Sequence, residues 1–443
     1  MSHNKDQANP THSPLFMGID AGTSGIRACV IDQQAKLVAE VTQPLPAPVV
    51  SGVAISQSPR IWASVFEKVL ATMSSQCPLD KLHSIAIDGT SGTVLLADQQ
   101  GEPIGDALMY NDGRSQRQVN QLTHLTDNTV VQSVSAGLPK LMWLLENLDS
   151  THPPPAYAMH QADWLAYLLT DRPGHSDINN CLKTGYDPFD NSWPDWLTQI
   201  PGLDSLLPRV HTPGDTVAPV SSRAAEKFDL PATTQLVAGT TDSHAAILAT
   251  GVHAPGEAVT SLGSTLVTKV VSETPVFDQH YGIYSQPFGQ TEDGHRLWLV
   301  GGGSNSGGAV LRNYFTDKQM QQLTEYINPE QDSGLDYYPL NAPGERFPIN
   351  DPEFQPRLSP RPDNEATFFQ GLLEGIARIE QQAYQLLARL GAPYPTSIRT
   401  VGGGAKNQAW TRIRARYCQT EIRQSEYTEA AYGSALLARQ ASQ

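Results

Sequence analysis

One pattern occurs twice in this chain and limits what it can become: a strand, a turn of small residues, and a second strand. The first copy is GIDAGTSGIRACVID. Strand-like alternation begins at Leu15, turns from Gly22 to Gly25 and resumes through Ile26 to Ile31, with KLVAEV continuing a β-meander. The second copy is GEAVTSLGSTLVTKVV, residues 256–271. Each copy is followed by α/β sequence. After the first come a helical pattern at 59–74, strands at 84–89 and 93–98, and helical patterns at 114–123, 138–147 and 162–170. A Pro- and Gly-rich stretch at 193–219 has little periodicity. A strand at 236–238 then precedes a helix that ends near Gly251. After the second copy come a long helix at 371–392, a strand running into VGGGAKN, and a last helix in EAAYGSALLARQ. Two related α/β domains with a cleft between them satisfy this order. The 443 residues agree, since one domain usually holds about 100–200.

Charge and cysteine usage narrow the function classes. The net charge of −15 disfavours nucleic acid or an anionic membrane as the main partner. Cys29, Cys77, Cys181 and Cys418 form no C-x-x-C pair, so neither a zinc knuckle nor a dithiol centre is expected. No apolar run reaches the length of a spanning helix of about 18 residues. The polar opening MSHNKDQANPTHSP has no apolar core of a secretory signal and is expected to be a disordered tail. These features fit a cytoplasmic protein with reduced thiols.

The glycine turns suggest what is bound. Gly22, Thr23, Ser24 and Gly25 expose backbone N–H groups, and the two hydroxyls add donors, which makes a nest for phosphate. A plain hairpin turn is the bland alternative. Asp20, just before it, would repel phosphate directly but can share Mg²⁺ with it through water. Gly263, Ser264 and Thr265 form a second such turn. Bare backbone at Gly402, Gly403 and Gly404 can lie flat against adenine or ribose. The stretch GGGSNSGG, containing Gly302, either lines the nucleotide site or is a mobile loop. Neither G-x-G-x-x-G nor G-x-x-x-x-G-K-[ST] fits these segments. Asp242, between a strand and the helix SHAAILA, reads either as an N-cap or as a base. In the second reading the helix N-terminus lowers its pKa and keeps it ionised. No second histidine lies at ligand spacing from His244.

Taken in order, these segments resemble the FGGY carbohydrate kinases of the actin/hexokinase/heat-shock ATPase superfamily. GIDAGTSGIRACVID is similar to that family's first phosphate motif. MYNDGRS resembles its W-N-D-x-R segment with Tyr110 for Trp. AGTTDSHAA resembles the block with its catalytic Asp, and SLGSTLV its L-G-T-S motif with the hydroxyl residues exchanged. YYPLNAPGERFP, LLEGIAR, VGGGAKNQAW and TEAAYGSALLA also match family blocks. The resemblance implies two ribonuclease-H-like (actin-like ATPase) domains of mixed α/β sheets. A tail would occupy 1–13, a sugar-binding domain 14–247 plus 425–443, and a nucleotide-binding domain 248–424.

It further implies Asp242 as general base and Asp20 near Mg²⁺, with Thr23 and Ser24 at the transferred phosphate and Gly22 in the same turn. Gly263, Ser264 and Thr265 would hold the nucleotide phosphates, and Gly402, Gly403, Gly404 and Asn407 the adenosine. Ser24, Gly25, Thr90, Ser91, Asn111 and Asp112 would meet the sugar. Asn111 and Asp112 are also ordinary turn residues. DGTSGTV, ALMYND and GERFPINDP look most like D-ribulose kinases once labelled xylulokinase-like. The expected cofactors are ATP and Mg²⁺, and the expected partners are small molecules, with the chain a monomer or homodimer. A sugar sensor would need a helix-turn-helix for which the residues before Leu15 are too few. A chaperone-type ATPase would need a further substrate domain. An inactive kinase is disfavoured by the presence of both Asp20 and Asp242.

Overall fold

The computed structural model describes residues 13–442, so the opening segment expected to be a tail lies, but for residue 13, outside the described residues. The chain forms two compact units. The first holds residues up to Ala249 and those from Glu429 onward. The second runs from Thr250 to Thr428. The sequence placed these crossings at 247/248 and 424/425.

In the first unit, Leu15–Ala21 pairs antiparallel with Gly25–Ile31, which pairs antiparallel with Leu37–Pro44. Leu15–Ala21 also pairs in parallel with Leu82–Gly89, and Gln235–Val237 and Thr216–Pro219 complete a six-stranded sheet beyond it. One face of this sheet is apolar because alternate residues Met17, Ile19, Ala28, Val30, Ile85 and Ile87 are buried there with Trp62, Phe66 and Leu70 of the helix Pro59–Gln76. Each large apolar side chain so buried contributes about 1.5–3 kcal/mol. The helix Ala430–Gln440 also packs on this sheet. It comes close because of glycine: a Cβ on Gly18 would lie 1.9 Å from the Ala431 carbonyl oxygen, and one on Gly433 would lie 1.8 Å from the Ala245 carbonyl oxygen. Ser84 Oγ donates to the Ala438 carbonyl at 2.6 Å.

A second, five-stranded sheet orders Val49–Ser51, Ala54–Gln57, Ala107–Leu108, Val94–Ala97 and Tyr157–His160. The stretch expected to lack periodicity does bury side chains. Leu197, Ile200, Leu203 and Leu206 join one apolar cluster. Their spacing of three matches the 3₁₀ turns Asp195–Gln199 and Asp204–Leu206.

The second unit repeats the hairpin rule. Glu257–Leu262 pairs antiparallel with Leu266–Ser272 and in parallel with Ser397–Val401. The outer strands of this six-stranded sheet are Gln286–Gln290, Arg296–Ser304 and Glu421–Arg423. The long helix begins at Glu365, earlier than the expected Gly371, and runs to Arg389. Asn364 caps it by accepting from the Thr367 N–H. Behind the strand Ser397–Val401, Arg414 makes a buried bidentate ion pair with Glu380 at 2.6 and 2.7 Å and donates to Thr400 Oγ1 at 2.7 Å. This pair fastens the helix Gln408–Cys418 to the long helix. Among the described residues no helix is long and apolar enough to cross a membrane.

Candidate active site

Three carboxylates gather in the first unit because neighbouring elements end together. Asp20 near the end of Leu15–Ala21 is the Cα partner of Asp88 on Leu82–Gly89. Gly89 forms a parallel bridge with Thr241, which places Asp242 immediately beyond the same sheet edge. Asp242 is the first residue of the helix Asp242–Ala249 rather than its cap. The Thr241 carbonyl accepts from the N–H groups of His244 and Ala245.

Burial decides the protonation of this cluster. Asp88 is fully buried, and burial, with the Asp20 charge second, holds its carboxyl well above the usual range. Ser434 on the helix Ala430–Gln440 donates to Asp88 Oδ2 at 2.6 Å. Burial also raises Asp20, opposed by interaction with the Asp88 carboxyl and by Arg27. Asp20 Oδ1 and Asp88 Oδ1 are both buried with no other hydrogen-bond partner, and the two carboxyls are hydrogen-bonded to each other. Burial pushes Asp242 up to about 6. The Ser243 N–H, which donates to Asp242 Oδ1 at 2.6 Å, opposes that rise, the Asp20 charge adds to it, and Lys183 and the Ser91 N–H oppose it. The expectation that the helix N-terminus keeps Asp242 at low pKa is therefore corrected: desolvation outweighs the N–H groups.

The turn after Asp20 leaves its two hydroxyl residues accessible, but the expectation that Gly22 offers its N–H to phosphate is corrected, because that N–H closes the turn. The Gly22 N–H donates to the Gly25 carbonyl at 3.0 Å, and the Ser24 carbonyl accepts from the Leu45 N–H at 2.9 Å. Thr23 is partly exposed and Ser24 exposed. Gly25 lies at the start of its strand beside Gln43.

Of the residues expected at the sugar, the four outside the hairpin turn divide into two kinds. Ser91 is partly exposed and Asn111 exposed. Thr90 is buried, and its N–H and hydroxyl lie 3.1 and 2.8 Å from Gln161 Oε1. Asp112 is fully buried and accepts from the Ile55 N–H at 2.6 Å, the Arg114 N–H at 3.0 Å and Arg114 Nε at 2.9 Å. Thr90 and Asp112 thus spend their polar groups on loop structure rather than on a ligand.

In the second unit, the two glycine turns meet. A Cβ on Gly402, whose φ is +87°, would lie 2.8 Å from the Leu262 carbonyl oxygen, next to Gly263. Ser264 and Thr265 are exposed and Gly263 partly so. Gly403 has open space where a side chain would be, and Gly404 packs on Leu262 and Trp410. Asn407 is the N-cap of Gln408–Cys418, accepting from the Trp410 N–H at 2.9 Å while its Nδ2 donates to Thr324 Oγ1 at 2.9 Å.

GGGSNSGG is not a mobile loop. Residues 301–304 belong to the strand Arg296–Ser304, where Gly302 faces the Phe347 ring. The rest is bonded to the hairpin turn: the Gly308 N–H donates to the Gly263 carbonyl at 2.9 Å, the Ala309 N–H to the Ser264 carbonyl at 3.1 Å, and the Leu266 N–H to the Ser306 carbonyl at 2.7 Å. Buried Glu345 secures this stretch by accepting from Ser304 Oγ at 2.6 Å, the Asn305 N–H at 2.8 Å and Tyr338 Oη at 3.0 Å.

Sequence reasoning assigned no role to Asp88, Ser434 or Glu345. Asp88 and Glu345 each stand inside a quoted motif, DGTSGTV and GERFP, which was the available signal. Nothing in the local sequence pairs Ser434 with Asp88.

The chemistry of these groups fits a nucleotide and its cation. A carboxylate beside a hydroxyl-bearing turn suits hydrated Mg²⁺, which takes few protein ligands. Among the described residues, no cluster of three or more His, Cys, Asp or Glu residues could hold a metal by itself.

Comparison with known proteins agrees over the whole described chain. Residues 15–249 match the model of the N-terminal domain of the FGGY family of carbohydrate kinases, and residues 258–442 match that of its C-terminal domain. An autoinducer-2 kinase of Salmonella choleraesuis is 25% identical over 438 residues, covering 90% of this chain and 81% of the relative. A xylulose kinase of Bacillus subtilis is 24% identical over 444 residues, covering 95% and 87%. Among solved structures, xylulose kinase from Rhodospirillum rubrum superposes with a TM-score of 0.82 at 21% identity, covering 96% of this chain and 89% of that one. Plasmodium falciparum glycerol kinase with ADP gives 0.83 at 18%, covering 96% and 89%. The fold is the mixed α/β, actin-like ATPase architecture that the family resemblance implied.

Proposed function

Given that the chain belongs to the FGGY family of carbohydrate kinases, we propose that this sugar kinase phosphorylates a terminal hydroxyl of a ketopentose, D-ribulose being the preferred acceptor and D-ribulose 5-phosphate the product. The observation that carries the catalytic part is Asp242: a carboxylate raised to about 6 and next to Asp20 in a buried acidic cluster. A base of that pKa is ionised at neutral pH yet more basic than a surface carboxylate.

Bound MgATP supplies the phosphoryl group. Asp242 accepts the proton of the attacking hydroxyl and orients that oxygen. Asp20 offers its carboxylate to the hydrated cation, and Thr23 and Ser24 offer hydroxyls to the transferring phosphate. Ser91 and Asn111 remain the candidates for direct sugar contact. Gly263, Ser264 and Thr265 take the nucleotide phosphates, and the 402–404 turn takes the adenosine. Because phosphoryl transfer passes through a loose transition state, positioning and charge neutralisation carry most of the catalysis.

The small, partly exposed Ser91 within DGTSGTV supports D-ribulose, together with the likeness of that block to D-ribulose kinases. D-Xylulose is the second reading, favoured by relatives named xylulose kinase. A panel of ketopentoses, ketohexoses, aldoses and polyols, assayed by ADP release coupled to a dehydrogenase, decides between them. The proposal fails if D-ribulose gives a lower kcat/KM than D-xylulose or any non-ketopentose. The four buried, free cysteines support a cytoplasmic location.

A further inference from the structure

Two segments given to the sugar above, 89–93 and 109–112, are joined to each other beneath their exposed residues. The Gln161 amide receives the Thr90 N–H at 3.1 Å, which requires that the receiving atom be Oε1. That atom therefore also accepts from the Thr90 hydroxyl at 2.8 Å. Having donated there, Thr90 Oγ1 accepts from Thr93 Oγ1 at 2.6 Å. Thr93 Oγ1 in turn accepts from the Tyr110 N–H at 3.0 Å. The direction of the relay is fixed along its whole length: Tyr110 to Thr93 to Thr90 to Gln161.

A second tie runs in parallel. Lys140, on the helix Gly137–Glu146, is fully buried and donates from Nζ to the carbonyls of Gly92 and Tyr110, each at 2.9 Å. Tyr110 is thus held at both its N–H and its C=O, while its side chain is exposed. The arrangement is costly: burial pulls the Lys140 ammonium down to about 7. An apolar side chain there would avoid that cost, but it would leave two carbonyls unpaired and the two segments unlinked.

We propose that Thr93 and Lys140 are positioning residues for the sugar acceptor: neither touches it, and together they set the spacing between the segment carrying Ser91 and the segment carrying Tyr110 and Asn111. The proposal rests on the assignment of these segments to the sugar. Thr93 is fully buried, so any effect on sugar binding must pass through the backbone it holds.

The test uses the full chain and the best acceptor found in the sugar panel, whichever sugar that is, so a wrong ketopentose assignment does not affect it. Thr93→Val keeps shape and removes the relay; Thr93→Ser keeps the hydroxyl. Thr93→Val is expected to raise the sugar KM by about tenfold with the ATP KM within about twofold, and Thr93→Ser to stay within about threefold of wild type for both. Lys140→Met should raise the sugar KM at least as far. Amide hydrogen exchange at Tyr110 should accelerate in Thr93→Val. The proposal is overturned if exchange at Tyr110 accelerates while the sugar KM stays within about twofold, or if the sugar and ATP KM values rise together. It is equally overturned if Thr93→Ser is as impaired as Thr93→Val. If Lys140→Met does not fold, the two Thr93 variants decide alone.

Discussion

Asp20 and Asp88 are Cα partners on adjacent parallel strands, and only Asp88 has a fixed hydroxyl partner, Ser434, 346 residues further along the chain. The two acids are therefore unequal. Asp88 is fully buried, its carboxyl held well above the usual range by burial, and Ser434 donates to it. Asp20 is only partly buried and stands directly before the hydroxyl-bearing turn. Asp88→Asn keeps the shape and an acceptor for Ser434 and should retain at least about a third of turnover, whereas Asp20→Asn should raise the half-saturating Mg²⁺ concentration by about tenfold or more. Initial rates over a Mg²⁺ series check both. Equal effects of the two substitutions would remove the distinction.

Asp242→Asn should lower kcat by about 10²–10⁴-fold while ADP binding, followed by calorimetry, stays as in wild type. The same variant should melt higher than wild type above pH 6. The folded-state pKa of Asp242 is raised, so its protonated form favours folding, and that contribution fades as pH rises through about 6. Near the unfolded value of 3.8 the two proteins should melt alike.

The base must be ionised to act, so kcat/KM should be level at pH 7–8 and fall as pH drops through about 6, with about a tenfold loss per pH unit below it. A profile still level at pH 5 would mean that Asp242 titrates as an ordinary surface acid or is not the base.

Gly307→Ala should weaken ATP use specifically. Gly307 has φ of +146°, and a Cβ there would lie 2.7 Å from the Ser264 carbonyl oxygen and from Thr265 Cα. The turn that would take phosphate must shift to make room. An ATP KM raised by about tenfold, with the sugar KM within about twofold, is expected from steady-state kinetics.

Glu380→Gln leaves the Arg414 guanidinium charged inside the second unit without its counter-ion. It should cost about 3–5 kcal/mol of stability in urea unfolding. Replacing Glu380 and Arg414 together by apolar residues of similar volume should recover much of that loss.

The hairpin repeat was legible because it rests on local alternation and small-residue turns, and both hairpins are found where that pattern put them. Other features depended on the fold. The long helix reads from Gly371 in the sequence, and its first turns from Glu365 become evident with the Asn364 cap, which accepts from the Thr367 N–H. Leu197, Ile200, Leu203 and Leu206 follow a period of three, which neither the helical nor the strand template detects. The pKa of Asp242 took the opposite direction because its N–H neighbours are visible in sequence and its desolvation is not. Thr90 and Asp112 had the right residue types for a sugar contact, and only their partners, Gln161, Ile55 and Arg114, show that those groups are already occupied.

The helix Ala430–Gln440 gives the fold an order of assembly. During synthesis, the sheet containing Asp20 emerges early, yet the surface around Gly18 stays uncovered and Asp88 lacks its hydroxyl until Ala431 and Ser434 have left the ribosome. The intervening residues 250–428 can complete their own sheet first. A nascent chain stalled before Ala430 would hold every strand of both six-stranded sheets and still leave the sheet face around Gly18 uncovered.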